Sequence, residues 1–401
     1  MDRNYNLLSP LSRSGSSGLL PNGENPRHLA GEIWSPCVIG LFDRLARPFL
    51  RSMEPEDAHA LALKALRFAP LPRAAEDDPL LAVRAFGLNF RNPVGIAAGF
   101  DKNAQAPDAL LRLGFGFVET GTVTPRPQIG NPRPRLFRLE ADEGVINRLG
   151  FNNDGEEVVL RRLAARANHG GIVGVNIGAN RDSKDRVADY LRLMEAFAPV
   201  ASYVTLNVSS PNTPDLRDLQ QGRLLDDLLA RVIAARDRIS QNAGPTPVLL
   251  KIAPDLSLGD LDDIVGVARA RKVDGMIVSN TTIGRPASLS EQTKAKEQGG
   301  LSGRPLFTLS TRMLAETYVR TESAFPLVGV GGIDSGQSAV AKIKAGAKLV
   351  QLYSGLVFRG LGVVGEIKAE ITASLRRSGQ GSIEDLVGAD AAAMTAEKWP
   401  A

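Results

Sequence analysis

Ser210 lies in a polar loop, Ser209 to Pro214, flanked by Asn207 and Asn212 and next but two to a second hydroxyl at Thr213. Such a loop offers a proton-accepting hydroxyl and amides that both donate and accept, on a backbone stiffened by Pro211 and Pro214. An ordinary solvated turn has the same composition, so the loop alone decides nothing. Lys251 follows the apolar run Val248 to Leu250, and three uses are open to it: a Schiff-base amine, a charge stabilising an anionic cofactor ring, or half of a structural ion pair. Asn147, Asn152, Asn176, Asn207, Asn212 and Asn280 favour the second, because amides suit a planar ligand with alternating carbonyl and N–H groups. Gly329, Gly331 and Gly332, with Tyr353, Ser354 and Gly355, offer backbone N–H groups for a phosphate, a weak signal taken alone.

Most of these residues sit at or near the end of a short apolar run. Eight such runs occur in order: Val94 to Ala97, Gly116 to Glu119, Ile172 to Ile177, Tyr203 to Val208, Val248 to Ile252, Gly275 to Val278, Leu327 to Val330 and Leu349 to Leu352. Helical patterns separate most of them, for example Asp185 to Phe197, Arg223 to Ile239 and Leu258 to Arg271. Eight strands alternating with helices predict an α/β fold, an eight-stranded parallel β/α (TIM) barrel, with strand-end side chains converging on one mouth. An open doubly wound sheet is the alternative, weakened by the lack of a G-x-G-x-x-G turn after the first strand. Two insertions, Val123 to Asn153 and Ile283 to Arg304, would cover the mouth.

Composition narrows the classes. A hydrophobic content of 43% over 401 residues is ample for a large core, and a single cysteine, Cys37, excludes an internal disulfide. His28, His59 and His169 have no metal-ligand spacing. The net charge of +4 comes from interspersed acids and bases, which argues against a nucleic-acid partner. No apolar run approaches the roughly 20 residues that span a bilayer.

The chain divides into a polar N-terminal extension (1–34), an amphipathic helical hairpin (35–78), the barrel (79–388) and a tail (389–401). The extension reads as disordered. Ser35 and Pro36 make an N-cap and N1 pair for the first helix, and the second should begin near Glu54 and Pro55 and reach Phe68. The hairpin either packs on the barrel or rests an apolar side on a membrane surface.

Beyond these patterns, the sequence resembles the class 2, quinone-linked dihydroorotate dehydrogenases. The matching stretches include FRNPVGIAAGFDKN (90–103), INRLGFNN (146–153), GVNIGAN (174–180), LNVSSPNTPDLR (206–217), LLKIAPDL (249–256), VSNTT (278–282), GGLSGRPL (299–306), VGVGGIDSG (328–336) and LVQLYSGLVFRG (349–360), and they run in order from about residue 54 onward. The resemblance implies an FMN barrel that oxidises dihydroorotate to orotate in pyrimidine biosynthesis and reduces ubiquinone or another membrane quinone. It implies an FMN shell of Ala98, Gly99, Thr122, Asn176, Asn207, Lys251, Ser279, Ser302, Gly303, Gly331, Gly332, Tyr353 and Ser354. Substrate contacts would be Lys102, Asn147, Arg148, Leu149, Gly150, Phe151, Asn207, Asn212, Asn280 and Thr281. Ser210 matches the catalytic base, with Thr213 as its proton outlet.

The hairpin would admit quinone past Phe49, Leu50, Met53, His59 and Leu63, with Arg138 and Tyr353. A peripheral protein on the cytoplasmic face of a bacterial inner membrane is implied. Ala179 and Asp215 depart from the family pattern, which commonly has lysine and glycine there; Asp tolerates a left-handed backbone better than most residues. A flavin barrel with a non-quinone acceptor, a Schiff-base lyase through Lys251, and a phosphate-binding barrel without turnover remain as alternatives.

Overall fold

The computed structural model describes residues 46–69, 71 and 75–399. The expected extension 1–34 and the start of the first hairpin helix at Ser35 lie outside the described residues. Residues 46–52 form a helix, α1, and Glu54 caps the next, α2 (Pro55–Phe68), by accepting from the amides of Glu56 and Asp57. Proline at N1 and two acids in the first turn are the signals that place its start.

Strands β1 (Val83–Ala85) and β2 (Leu88–Phe90) pair antiparallel ahead of the barrel. The barrel then closes in the order β3 (Val94–Ile96), β4 (Phe117–Val123), β7 (Ile172–Ile177), β8 (Val204–Asn207), β9 (Val248–Ile252), β10 (Gly275–Val278), β12 (Leu327–Val330) and β13 (Ala347–Leu352), which returns to β3. All eight are parallel, as the apolar runs predict, and closure rules out the open sheet. Parallel neighbours need crossovers. They are supplied by α3 (Pro107–Arg112), α4 (Glu156–Ala165), α5 (Arg186–Phe197), α6 (Gly222–Ala243), α7 (Leu258–Ala270), α9 (Phe307–Thr321) and α10 (Gly336–Lys344). Helices α11 (Ser354–Arg359), α12 (Val363–Arg377) and α13 (Ala391–Ala396) follow β13.

The lower end of the barrel is plugged by rings: Phe90 meets Phe117 edge-on at 5.2 Å, and Phe117 and Phe86 each lie 6.5 Å from Tyr203. Tyr203 fits because residue 174 has no side chain; a Cβ there would lie 2.1 Å from its ring. Over the opposite end, the two insertions do more than cover the mouth as loops. They build an antiparallel sheet, β5 (Leu136–Leu139), β6 (Gly144–Asn147) and β11 (Gly300–Gly303), with the short helix α8 (Gln292–Ala295) beside it.

Residues 389–399, set apart as a tail by the sequence reading, are held against α9 by Arg312, which donates to the carbonyls of Met394, Thr395 and Glu397. Among the described residues no helix is long and apolar enough to cross a membrane.

Candidate active site

The strand-end amides are oriented from below by one buried carboxylate. Glu119 on β4 accepts from Asn176 Nδ2 at 2.8 Å, Gln351 Nε2 at 2.9 Å, Tyr203 Oη at 3.2 Å and Thr205 Oγ1 at 3.3 Å. Asn176 thus turns its Nδ2 toward Glu119 and its Oδ1 away. Onto that Oδ1 donate Thr122 Oγ1 at 2.6 Å and Asn207 Nδ2 at 3.1 Å. Asn207 Oδ1 is then left to accept from Asn280 Nδ2 at 3.2 Å and Ser209 Oγ at 3.1 Å. The polarity of side chains at four strand ends thus follows from one buried side chain. Nearer the mouth, Asn212 Nδ2 donates to Asn147 Oδ1 at 3.2 Å, and Asn147 Nδ2 to the Gly300 carbonyl at 3.3 Å.

These ends open into a cavity of about 720 Å³. Ser210 lines it together with Lys102, Asn147, Leu149, Gly150, Phe151, Asn207, Asn212, Asn280 and Thr281. Its walls also include Ala98, Gly99, Thr122, Lys251, Ser279, Ser302, Gly303, Gly331, Gly332, Tyr353 and Ser354. Two of the site residues expected from sequence lie elsewhere. Asn176 sits one layer down, in the Glu119 network. Arg148 turns to Glu297 at 2.6 Å and to the Pro134 carbonyl at 2.9 Å, with its guanidinium over the Phe137 ring.

Of the residues expected to admit quinone, Leu50, His59, Arg138 and Tyr353 line the cavity. Phe49 is exposed, Met53 presents its carbonyl to Arg138, and Leu63 lines a separate cavity of about 600 Å³. The wall is made instead by Ala58, Ala62, Ala65 and Ala69 of α2 and its C-cap, recurring on one helical face, with Leu66 and Leu71. Arg138 ties α1 to the sheet over the mouth: it donates to the carbonyls of Leu50, Arg51 and Met53 at the C-terminal end of α1.

Electrostatics separate the two lysines of the cavity. Burial pulls Lys102 down to about 8, against the attraction of Glu56, while Arg135 pushes the same way as burial. Its Nζ donates to the Gly99 carbonyl at 2.9 Å. Burial also lowers Lys251, opposed by Glu119, and its ammonium makes no hydrogen bond to another described residue. His59 is depressed to about 4 by burial and by Lys102. It lies 2.8 Å from the Phe100 carbonyl, so Nε2 carries the proton of the neutral ring. Burial raises the Tyr353 phenol above its usual range.

The Ser210 loop is held at its backbone. Arg217 donates to the Ser209 carbonyl at 3.1 Å and the Thr281 carbonyl at 3.1 Å and pairs with Asp255 at 2.9 Å, joining the loops after β8, β9 and β10. Arg186 donates to the carbonyls of Pro214 at 2.8 Å and Asp215 at 2.6 Å. The Asn212 amide donates to Ser210 Oγ at 3.3 Å. Thr213 is buried in the same loop, without a hydrogen bond to Ser210 among the described residues. Asp215 adopts φ +55°, so the left-handed turn expected at that departure is present.

Sequence reasoning assigned no role to Glu119, Gln351, Arg186 and Arg217. The first two carried the signal that picked out Lys251, a lone polar group inside an apolar run (FVET and LVQLY).

Residues 80–375 match the dihydroorotate dehydrogenase family model. The chain belongs to the dihydroorotate dehydrogenase family. A dihydroorotate dehydrogenase (quinone) of Bradyrhizobium diazoefficiens is 72% identical over 363 residues, covering 90% of this chain and 100% of that one. Its counterpart in Bradyrhizobium sp. strain ORS 278 is 70% identical over the same span. Among solved structures, ligand-free DHODH from Eimeria tenella superposes with a TM-score of 0.80 at 39% identity, covering 84% of this chain and 99% of that one. Dihydroorotate dehydrogenases are flavoprotein enzymes, and membership makes the chain an oxidoreductase.

Proposed function

We propose that the chain oxidises dihydroorotate to orotate in pyrimidine biosynthesis, with FMN as its resident cofactor and a membrane quinone as electron acceptor. The observation that carries this reading is that Ser210, Asn147, Asn207, Asn212, Asn280, Lys102 and Lys251 line one cavity that continues into an alanine-walled throat beside α2.

The residues present fit FMN. At Gly332 a Cβ would lie 2.5 Å from Phe307 Cα and 2.7 Å from its nitrogen, so only glycine lets the turn after β12 pack this close to the start of α9, and Gly331 and Gly332 line the cavity with backbone alone, as a phosphate requires. Beside it the hydroxyls of Ser302 and Ser354 lie 2.8 Å apart. Deeper in, Gln351 lines the cavity with a buried Oε1 that has no hydrogen-bond partner among the described residues, an acceptor for a ligand N–H. Lys251 would sit where its ammonium offsets negative charge on the cofactor ring.

When bound, FMN would supply a two-electron acceptor for the hydride leaving substrate C6 and a donor of those electrons toward quinone. Ser210 Oγ would take the proton from C5 as its own hydroxyl proton leaves the loop, with Thr213 as the candidate outlet. A serine is a poor base in water, and burial of Ser210 under a loop clamped by Arg186 and Arg217 keeps water from competing. Lys102 holds the substrate carboxylate, and Asn147, Asn207, Asn212, Asn280 and Thr281 meet the ring's carbonyl and N–H edges. Leu149, Gly150 and Phe151 close over it, and Arg148 acts through Glu297 to hold that segment. Quinone approaches along Ala58, Ala62 and Ala65, past Tyr353. Exposed Phe49, Leu61 and Phe68 provide the peripheral membrane contact, on the cytoplasmic face of a bacterial inner membrane.

Anaerobic mixing with dihydroorotate tests the reading. Flavin absorbance should bleach, and reoxidation should follow with ubiquinone but not with fumarate or NAD. Bleaching followed by reoxidation with fumarate or NAD alone would replace the acceptor, and a flavin-free protein would sink the proposal.

A further inference from the structure

Lys342 on α10 is fully buried, with no exposed side-chain surface, and no carboxylate lies within 4 Å of it among the described residues. Its Nζ donates to Ser310 Oγ at 2.7 Å and approaches the Val330 carbonyl at 3.4 Å, and it sits 5.3 Å from the Phe307 ring centre. A lysine buried without an acid is costly, since neither hydration nor a counter-ion balances the ammonium.

Its contacts all lead to one place. Val330 and Gly331 line the cavity, Ser310 Oγ lies 3.1 Å from the Gly331 carbonyl, and Phe307 is the residue a side chain at Gly332 would strike.

We infer that Lys342 is a positioning residue of the phosphate site, bracing the Gly331–Gly332 turn through Ser310 and supplying from behind it a positive charge whose counter-ion is the phosphate of the bound FMN. This rests on the FMN reading above. Burial alone depresses the amine well below the usual lysine range, and an anion close by would favour its charged form. Removal of the amine strands no partner. The Ser310 hydroxyl keeps the Leu306 carbonyl at 2.8 Å, and the Val330 carbonyl keeps the Ser279 amide at 3.3 Å.

The test is equilibrium dialysis of the flavin-stripped full-length chain against FMN and, in parallel, riboflavin, which lacks the phosphate. Thermal unfolding of the stripped protein is followed alongside. Lys342→Met should weaken FMN by about tenfold to a hundredfold, the range for losing a charged hydrogen-bonding group, and leave riboflavin unchanged. The stripped variant should melt no lower than the stripped wild type. Ser310→Ala, which keeps the charge and loses the brace, should weaken FMN less.

Equal losses for FMN and riboflavin, an unchanged FMN affinity, or a lower melting point in Lys342→Met would each overturn the assignment. A wild type that binds FMN no better than riboflavin would overturn the phosphate site itself. The two failures are therefore distinguishable.

Discussion

The two halves of the cavity are built on opposite principles. The barrel half is a chain of obligatory partners, in which Glu119 dictates the orientation of Asn176, Asn176 that of Asn207, and Asn207 that of Asn280. No member can be turned or removed without leaving a buried polar group unmet. The throat half is shaped by omission, because alanines at 58, 62 and 65 of α2 leave room without directing a hydrogen bond into it. Polar walls set chemistry and orientation, whereas apolar walls set only size and tolerance. A protein that handles a small polar ring at one end and a greasy acceptor at the other needs both, in series.

Substitutions can separate the halves. The largest effect belongs to the polar end: Ser210→Ala should retain flavin and slow its reduction by dihydroorotate by about 10² to 10⁴-fold in stopped flow, the usual worth of a positioned base. Unchanged bleaching would remove Ser210 from that role.

A pH profile comes next. Lys102, depressed to about 8, is charged below that pH in the free protein and neutral above it. Since the ammonium is the form that binds a carboxylate, kcat/KM for dihydroorotate should fall above about pH 8, by up to roughly tenfold per unit. Lys102→Arg should move the fall to higher pH. His59, already neutral above about 4, should leave no inflection between pH 5 and 8.

At the throat, Ala62→Phe should raise KM for quinone by about tenfold, the scale of overpacking by one side chain, with flavin reduction by dihydroorotate unchanged. Slowed reduction would show that the halves are not separable.

The same contrast explains what could be seen without coordinates. Strands announce themselves locally, since apolar runs such as Ile172–Ile177 and Val248–Ile252 lack an alternative to burial, and their polar terminal residues point to a common mouth. Ser210, Lys251, Asn207, Asn212 and Asn280 were legible for that reason. The throat was legible only in part, at Leu50, His59, Arg138 and Tyr353. Its alanines look like ordinary helix filler, and assigning Leu63 to its wall required a helical register that packing against β5 and α3 fixes. The three-stranded lid was equally hidden, because it pairs segments near residues 146 and 301 that no local pattern connects. Arg148 shows the limit of motif transfer: it lies in the right segment, yet its side chain is claimed by Glu297.

The smallest effect concerns a departure inside the polar half. Asp215 occupies the left-handed region at φ +55°, where a side chain costs roughly 1 kcal/mol and glycine costs nothing sterically. Glycine would also loosen the unfolded chain, which offsets part of the gain. The turn does not depend on the Asp215 side chain for its position, since Arg186 grips the backbone carbonyls of Pro214 and Asp215, and the carboxylate lies 4.0 Å from that guanidinium and largely in solvent. Asp215→Gly should therefore change stability by no more than about 1 kcal/mol and leave flavin reduction by dihydroorotate unaltered. Arg186→Ala should slow that reduction in spite of its distance from the chemistry, because it frees the loop that carries Ser210. If instead Asp215→Gly slowed reduction as much as Arg186→Ala did, the loop would be held by the aspartate and not by the backbone clamp.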